Sequence, residues 1–409
     1  MKKVVIAGGG QAASSVAAKL RSEGFDGSIA IICKENHPPY QRPPLSKKYL
    51  LGEMTLDRLY LRPLSYYEDQ NITLHLGKTV DQIDCAKKQV LFDGESLEYD
   101  DLVLALGSQP RRLPEKIGGS LGKVFTVRDL TDVDALAPEF TRDKRVLIIG
   151  GGYIGLEAAA VAAQRGLKVT LVEMADRILQ RVAAPQTSDY FRHLHTTHGV
   201  EIKEGVSLAR LTGHEGTVTG AELSDGTLIE IDFAIVGVGI FPATDIASDA
   251  GLSISDGITV NAFGQTSDPS IWAAGDCCAF PYRGGELRLE SVPHAIDQAE
   301  LVAQNIMGAS LSYVPKPWFW SDQYDVKLQI TGLNTGFDNV ITRSTNETSI
   351  SFWYYKAGHL IAIDAMNDPR AYMVAKRLIE AGKTADQAVV ADPNIRSEEH
   401  TSELQSQFR

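Results

Sequence analysis

The chain is short of cysteine, of positive charge and of long apolar runs, and each shortage closes off a class of function. Its four cysteines, Cys33, Cys85, Cys277 and Cys278, form no C-x-x-C or C-x4-C pair, and the adjacent Cys277 and Cys278 could be bridged only through a strained ring. They read as small buried apolar residues, so a redox disulfide is not expected, and no metal centre is assigned. The formal net charge of −12 argues against nucleic acid as a partner, because phosphate binding relies on clustered Lys and Arg. No run of about 18 apolar residues is present, so no membrane span is expected. Met1, Lys2 and Lys3 followed by VVIAGGGQAASSVAA have the charged start of a signal peptide, but the apolar run is too short for one. The cytosol is therefore the expected compartment. Low-complexity sequence is also lacking, and 409 residues suffice for two or three domains with a sizeable core.

What the chain has is glycine in two informative places. Gly8, Gly9, Gly10, Gln11, Ala12 and Ala13 follow the apolar run VVIA, and Gly150, Gly151, Gly152, Tyr153, Ile154 and Gly155 follow RVLII. In a strand–turn–helix setting the first glycine makes the sharp turn and the second lets backbone N–H groups approach a pyrophosphate. The third position stays small for helix–strand packing, a place that Ala13 takes in the first copy. A carboxylate should close the next strand to bind an adenosine ribose: Glu35 ends SIAIICKE and Glu173 ends KVTLVE. Two such motifs imply two dinucleotide sites on one polypeptide, an arrangement that can pass electrons between nucleotides.

The surrounding pattern divides the chain. Residues 1–110 alternate strand and helix signals, with LEYDDLVLALG read as a strand running to Gly107. A second α/β unit spans 111–240, and residues 241–315 return to complete the first, carrying the strand-like SIWAAGD that ends in Asp276. From Lys316 to about 395 the alternating, aromatic-rich segments suit an antiparallel sheet followed by the helix DPRAYMVAKRLIEAG. Residues 396–409 are polar and without helical periodicity, and read as a disordered or non-native tail.

Taken together, GGGQAA, PYQRPPLSK, GGGYIGLE, TSDPSIWAAGD, ESVPHA and PWFWSDQ make the chain resemble the FAD-dependent pyridine-nucleotide reductases. The specific likeness is to the ferredoxin reductases that serve bacterial cytochrome P450 and Rieske oxygenase systems, over residues 1 to about 395. The resemblance implies an α/β fold with two Rossmann-like dinucleotide-binding domains and a C-terminal α+β domain, the glutathione reductase-like architecture. It implies FAD held by Gly8, Gly10, Ala12 and Ala13 at the pyrophosphate, by Glu35 at the ribose and by Asp276 at the ribityl chain. Arg42, Lys47, Val80, Arg128, Val292 and Trp320 would also contact FAD. The acid of the first site often falls one residue earlier in relatives, where Lys34 stands here. Gly150, Gly152, Gly155, Glu157, Glu173 and Gly239 form the corresponding set for NAD.

Within that resemblance, Lys47 sets its ammonium near flavin N5 and pairs with Glu157, a role in positioning nicotinamide. Val292 opens a helix whose N-terminus faces the flavin pyrimidine edge, where its dipole favours negative charge. His294 stands where relatives commonly have Asn, and reads as a satisfied helical histidine. Trp320 shields the flavin on the acceptor side.

The implied reaction is hydride transfer from NADH to FAD, followed by single-electron transfers to a [2Fe–2S] ferredoxin that feeds a P450 or Rieske oxygenase. Where related disulfide reductases carry a cysteine pair, this chain reads PYQRPPLSK, so a disulfide relay is excluded. Other acceptors on the same scaffold are rubredoxin, monodehydroascorbate, a quinone or oxygen. The non-enzyme alternative is an NADH-sensing flavoprotein like apoptosis-inducing factor, and the sequence leaves oligomeric state open.

Overall fold

The computed structural model describes residues 1–346 and 348–393; the polar tail assigned to 396–409 lies outside the described residues. The chain forms two compact units. The first comprises Met1–Pro44, Gly52–Gln109 and Ile240–Pro315, and the second Leu45–Leu51, Pro110–Gly239 and the segment from Lys316.

In the first unit, five parallel strands lie in the order Ile271–Ala273, Asp101–Leu104, Lys3–Ala7, Ser28–Cys33, Ile72–Leu76. The central strand has no polar alternation because both of its faces are covered. Val4 and Ile6 join Val16 and Leu20 of the helix Gln11–Ser22 and Val302 of the helix Val292–Ile306. Val5 and Ala7 point to the other face, into a core with Val90, Phe92, Leu102 and Leu104.

LEYDDLVLALG is two strands rather than one, Glu95–Glu98 and Asp101–Leu104, in different sheets. The break falls where the Tyr99 amide donates to the Lys88 carbonyl and the Asp100 amide to that of Lys3, so consecutive residues bond to different neighbours.

The second unit repeats the parallel pattern, in the order Glu201–Glu204, Lys168–Glu173, Arg145–Ile149, Phe233–Val236, Val124–Phe125. It also holds the five-stranded antiparallel sheet Trp318–Gln323, Val326–Gly332, His359–Met366, Ile350–Lys356, Asn339–Ser344. Trp353 and Tyr355 pack from this sheet against Ala371, Val374 and Leu378 of the helix Pro369–Glu380. Asp368 caps that helix by accepting the Ala371 amide at 3.0 Å, and Pro369 sits in the first turn, where its missing N–H is harmless. The helix Tyr153–Gln164 touches the parallel sheet, the strand Trp318–Gln323 and the short turn Leu45–Tyr49, and so brings these three elements together.

Candidate active site

Both glycine turns are built alike. Gly8 has φ +121°, and a Cβ there would lie 2.1 Å from the Ala105 carbonyl oxygen; Gly150 has φ +110°, with its Cβ 2.3 Å from the Gly237 carbonyl oxygen. A side chain is impossible at either position, on conformational and steric grounds. At Gly10 and Gly152, by contrast, nothing lies within 4 Å of an added Cβ. Each caps the following helix with no side-chain hydrogen bond, and neither helix has an acid in its first turn. The result in each unit is an open glycine turn at a helix N-terminus, whose first-turn N–H groups lack intrahelical partners, and this cradle fits a pyrophosphate. Ala12 and Ala13 are buried beneath the first cradle, and Gly155 sits so close behind the second that a Cβ would lie 2.1 Å from the Gly150 carbonyl oxygen.

In the first unit Glu35 lies just past its strand, accepting from Arg42 Nη2 at 2.6 Å and from the Tyr40 hydroxyl. Asp276 lies beyond the strand Ile271–Ala273 and accepts from Ser108 Oγ at 3.1 Å. Val80 is part-buried at the start of its own strand. Val292 opens a helix whose N-cap, Ser291, accepts the His294 amide at 3.3 Å. His294 pairs through Nδ1 with the Tyr313 hydroxyl at 2.8 Å and stacks on Phe280, and burial pushes its pKa down to about 4. Lys47, Arg128 and Trp320 belong to the second unit.

Cys33, Cys85, Cys277 and Cys278 are unpaired. Burial pushes the Cys33 thiol up to about 12 and Cys277 to about 11, so neither is a thiolate near neutrality.

In the second unit the Glu173 carboxylate accepts the Gly151 amide at 2.7 Å and the Ala175 amide at 2.8 Å. Gly239 adopts φ +102°, and its carbonyl accepts the Arg111 amide at 2.9 Å. Arg128 opens the turn before the helix Leu130–Leu136, its amide donating to Asp132.

One turn into the helix that follows the second cradle is Glu157, 6% exposed. Lys47 Nζ lies 2.7 Å from its Oε2, Ser46 Oγ donates to the same oxygen at 2.9 Å, and Ser321 Oγ donates to Oε1 at 2.7 Å. The pair spans 110 positions of sequence because Leu45–Tyr49 folds into one wide helical turn, kinked at Lys47, against the helix Tyr153–Gln164. A buried carboxylate with a cation and two hydroxyl donors is fully satisfied, the condition for keeping a charge out of water.

On the strand Trp318–Gln323 alternate residues face opposite ways. Trp320 lies 5.5 Å from Trp318 on one side, while Phe319 packs at a tilt against Tyr153 at 4.9 Å on the other, the side that carries Ser321.

Residues 2–299 match the pyridine nucleotide-disulphide oxidoreductase family, and residues 318–399 match a reductase C-terminal domain. The chain belongs to the pyridine nucleotide-disulphide oxidoreductase family. It is an oxidoreductase that works with FAD and NADH. It is 44% identical over 384 residues to a ferredoxin–NAD(P)+ reductase of a Sphingomonas species, covering 92% of each chain. Among solved structures it resembles the ferredoxin reductase for the CYP199A2 system from Rhodopseudomonas palustris, with TM-score 0.94, 40% identity and coverage of 98% and 99%. It is also similar to the putidaredoxin reductase of a covalent putidaredoxin reductase–putidaredoxin complex, with TM-score 0.95, 36% identity and 99% coverage of both chains. Against these relatives the fold class expected from the sequence holds: parallel-sheet Rossmann-like units with a C-terminal antiparallel sheet.

The sequence pattern alone did not mark Ser46, Ser321, Gln323 or His195, although Ser46 lies inside PYQRPPLSK and Ser321 and Gln323 inside PWFWSDQ. The available signal was the two-residue spacing of polar groups in WFWSDQ, which puts both on one face of a strand. Their burial, 0% and 1% exposed, is what gives that spacing meaning.

Proposed function

We propose that the chain is an NADH-dependent ferredoxin reductase whose acceptor is a [2Fe–2S] ferredoxin feeding a P450 or Rieske oxygenase, working in the cytosol. The observation that carries this reading is the pairing of two open glycine cradles with unpaired, largely buried cysteines. With no thiol pair to receive electrons, the disulfide relay of related reductases has no counterpart in this chain. FAD, when bound, takes electrons as hydride and releases them singly.

The residues of this chain bind, orient and stabilise. Gly8, Gly10, Ala12 and Ala13 hold the FAD pyrophosphate, Glu35 its ribose, and Asp276 the ribityl hydroxyls, with Arg42, Val80, Arg128, Val292 and Trp320 as further contacts. Gly150, Gly152 and Gly155 receive the NADH pyrophosphate, Glu173 its adenosine ribose, and Gly239 the adjoining turn. Lys47 supplies a fixed positive charge where negative charge arrives with the hydride, and Glu157 keeps that ammonium oriented. Trp320 bounds the side from which electrons leave.

The test is steady-state NADH oxidation with a panel of [2Fe–2S] ferredoxins, rubredoxin, quinones and oxygen. Fast reduction of at least one ferredoxin is expected. Negligible turnover with every ferredoxin, alongside full-speed reduction of a quinone or oxygen, overturns the reading.

A further inference from the structure

The Glu157 carboxylate is the end of a longer line of side chains. Ser321, which donates to it, lies 3.1 Å from Gln323 Nε2, and Gln323 Oε1 lies 2.7 Å from His195 Nε2. His195 Nδ1 in turn lies 3.3 Å from the Tyr324 hydroxyl. His195, Gln323 and Ser321 are each no more than 1% exposed, so water does not interrupt the line.

Its direction follows from donor chemistry alone. The serine hydroxyl proton is committed to the carboxylate, so Ser321 Oγ must accept from Gln323, which fixes the amide with Nε2 toward Ser321 and Oε1 toward His195. That oxygen can only accept, so His195 must present Nε2–H to it. Nδ1 is then left to accept from Tyr324. Burial pushes the His195 pKa down to about 4, so near neutrality the ring carries the single proton this arrangement needs. Every donor in the line points toward Glu157, and aligned bonds of this kind polarise one another.

Tyr324 adds a second observation. It is one of the two residues linking the strands Trp318–Gln323 and Val326–Gly332, with φ +55°, a conformation that glycine adopts freely and a bulky side chain does not. Its ring sits edge-on to His195 at 5.2 Å and stacks on His198 at 3.8 Å, which closes the outer end of the line.

We propose that Ser321 and Gln323, oriented by His195, are positioning residues for hydride transfer, acting through Glu157 on Lys47. The proposal rests on the reading that Glu157 and Lys47 serve the NADH step. Without the line the carboxylate keeps Ser46 and Lys47 on Oε2 but loses the bond that fixes Oε1, and the ammonium loses its fixed orientation.

The experiment is anaerobic stopped-flow reduction of the FAD-loaded protein by NADH. It compares Ser321→Ala, Ser321→Thr, Gln323→Met, Glu157→Gln and the pairwise combinations with Glu157→Gln, with FAD content and melting temperature measured in parallel. Ser321→Ala is expected to lower the limiting rate about tenfold, the scale of one lost hydrogen bond to a charged group, with little change in apparent NADH affinity. Ser321→Thr restores the hydroxyl and most of the rate, and Gln323→Met slows the reaction by a smaller factor. In the Glu157→Gln background both effects disappear. If Glu157→Gln is slow while Ser321→Ala and Gln323→Met match the wild type, the positioning role is wrong and the role of Glu157 stands. Effects that persist undiminished in the Glu157→Gln background likewise overturn it. If Glu157→Gln itself reduces at the wild-type rate, the reading of Glu157 falls and takes the proposal with it.

Discussion

Glu173 and Gly151 are joined by a hydrogen bond that ties the end of one strand to the glycine turn after its parallel neighbour Arg145–Ile149, the Gly151 amide donating to Glu173 Oε2 at 2.7 Å. The other carboxylate oxygen takes the Ala175 amide at 2.8 Å, so the negative charge is held in place before any nucleotide arrives. Each oxygen retains a lone pair for a ribose hydroxyl, whereas a 2′-phosphate would meet a fixed like charge. Arg177, the nearby cation that could have offset this, is engaged with Ser188 Oγ at 2.6 Å and the Ala183 carbonyl at 2.8 Å.

The expected outcome is a kcat/KM for NADH at least about tenfold above that for NADPH. Glu173→Gln should narrow the gap and also weaken the fold by about 1 kcal/mol, because the two backbone N–H groups bond to different carboxylate oxygens and the amide replaces one of these with an NH2 donor. Equal kcat/KM for the two nucleotides in the wild-type protein would reject the assignment.

Lys47→Ala removes the cation from a carboxylate that is 6% exposed. Ser46 and Ser321 still donate to Glu157, so the fold is expected to survive with a loss of a few kcal/mol, less than for a buried charge left with no partner. Flavin reduction by NADH should slow far more than FAD affinity falls, and Glu157→Ala should raise KM for NADH more than it disturbs FAD binding. Rapid-mixing rates and FAD titration separate the two; unchanged reduction rates in both variants remove Lys47 and Glu157 from the mechanism.

How much of this was legible in the sequence depends on the range of the signal. The turns at Gly8 and Gly150 are local: a strand, a glycine forced by φ and a helix follow one another, so the pattern carries the geometry. The position of Glu173 follows in the same way, since the parallel pairing of Arg145–Ile149 with Lys168–Glu173 brings it to the turn. The approach of Lys47 to Glu157 has no local signature, and was implied only by resemblance. Ser46 and His195 were illegible because a buried hydroxyl or imidazole looks in sequence like any surface one, and the spacing of Ser321 and Gln323 gains meaning only from their burial. The misread strand is explained the same way: the Tyr99 amide bonds to Lys88 and the Asp100 amide to Lys3, far away in sequence, so the break is set by pairing that the run LEYDDLVLALG does not show.

His195 and His294 make stability depend on pH in a defined direction. Burial lowers both to about 4, against about 6.5 in an unfolded chain. Between those values the unfolded state binds protons that the folded state does not, so their stabilising contribution is complete above about pH 6.5 and is lost as pH falls toward about 4. Asp364, held up to about 6 by burial, has the opposite sign: folded, it keeps a proton that the unfolded chain releases, and it offsets part of the slope. Replacing His294 with Asn should flatten the dependence by up to about 3 kcal/mol across that window, apart from a constant loss of the Tyr313 bond. Denaturant unfolding at a series of pH values measures this; an unchanged slope would mean that His294 is not buried in its neutral form.

The outlet for electrons is expected to be electrostatic. A protein of net charge −12 that receives an acidic iron–sulfur partner needs a local basic surface. Four cations, Lys316, Arg370, Lys376 and Arg377, lie on or beside the strand and helix around Trp318, but Lys376 is already paired with Glu380 and lies 5.8 Å over the Trp318 ring, so it contributes little field of its own. Lys316, Arg370 and Arg377 are exposed. Lys316 precedes the strand that carries Trp320, and the two arginines lie on the helix Pro369–Glu380, whose Tyr372 packs 6.5 Å from Trp318. Charge reversal at Arg377 and Lys316 together should slow ferredoxin reduction about tenfold or more at low salt, through the association rate, and the deficit should shrink as salt screens it. Flavin reduction by NADH, measured on the same variant, should respond to neither the substitutions nor ionic strength. A ferredoxin reduction rate that ignores salt, or a charge-reversed variant that keeps its wild-type association rate, would place the docking surface elsewhere.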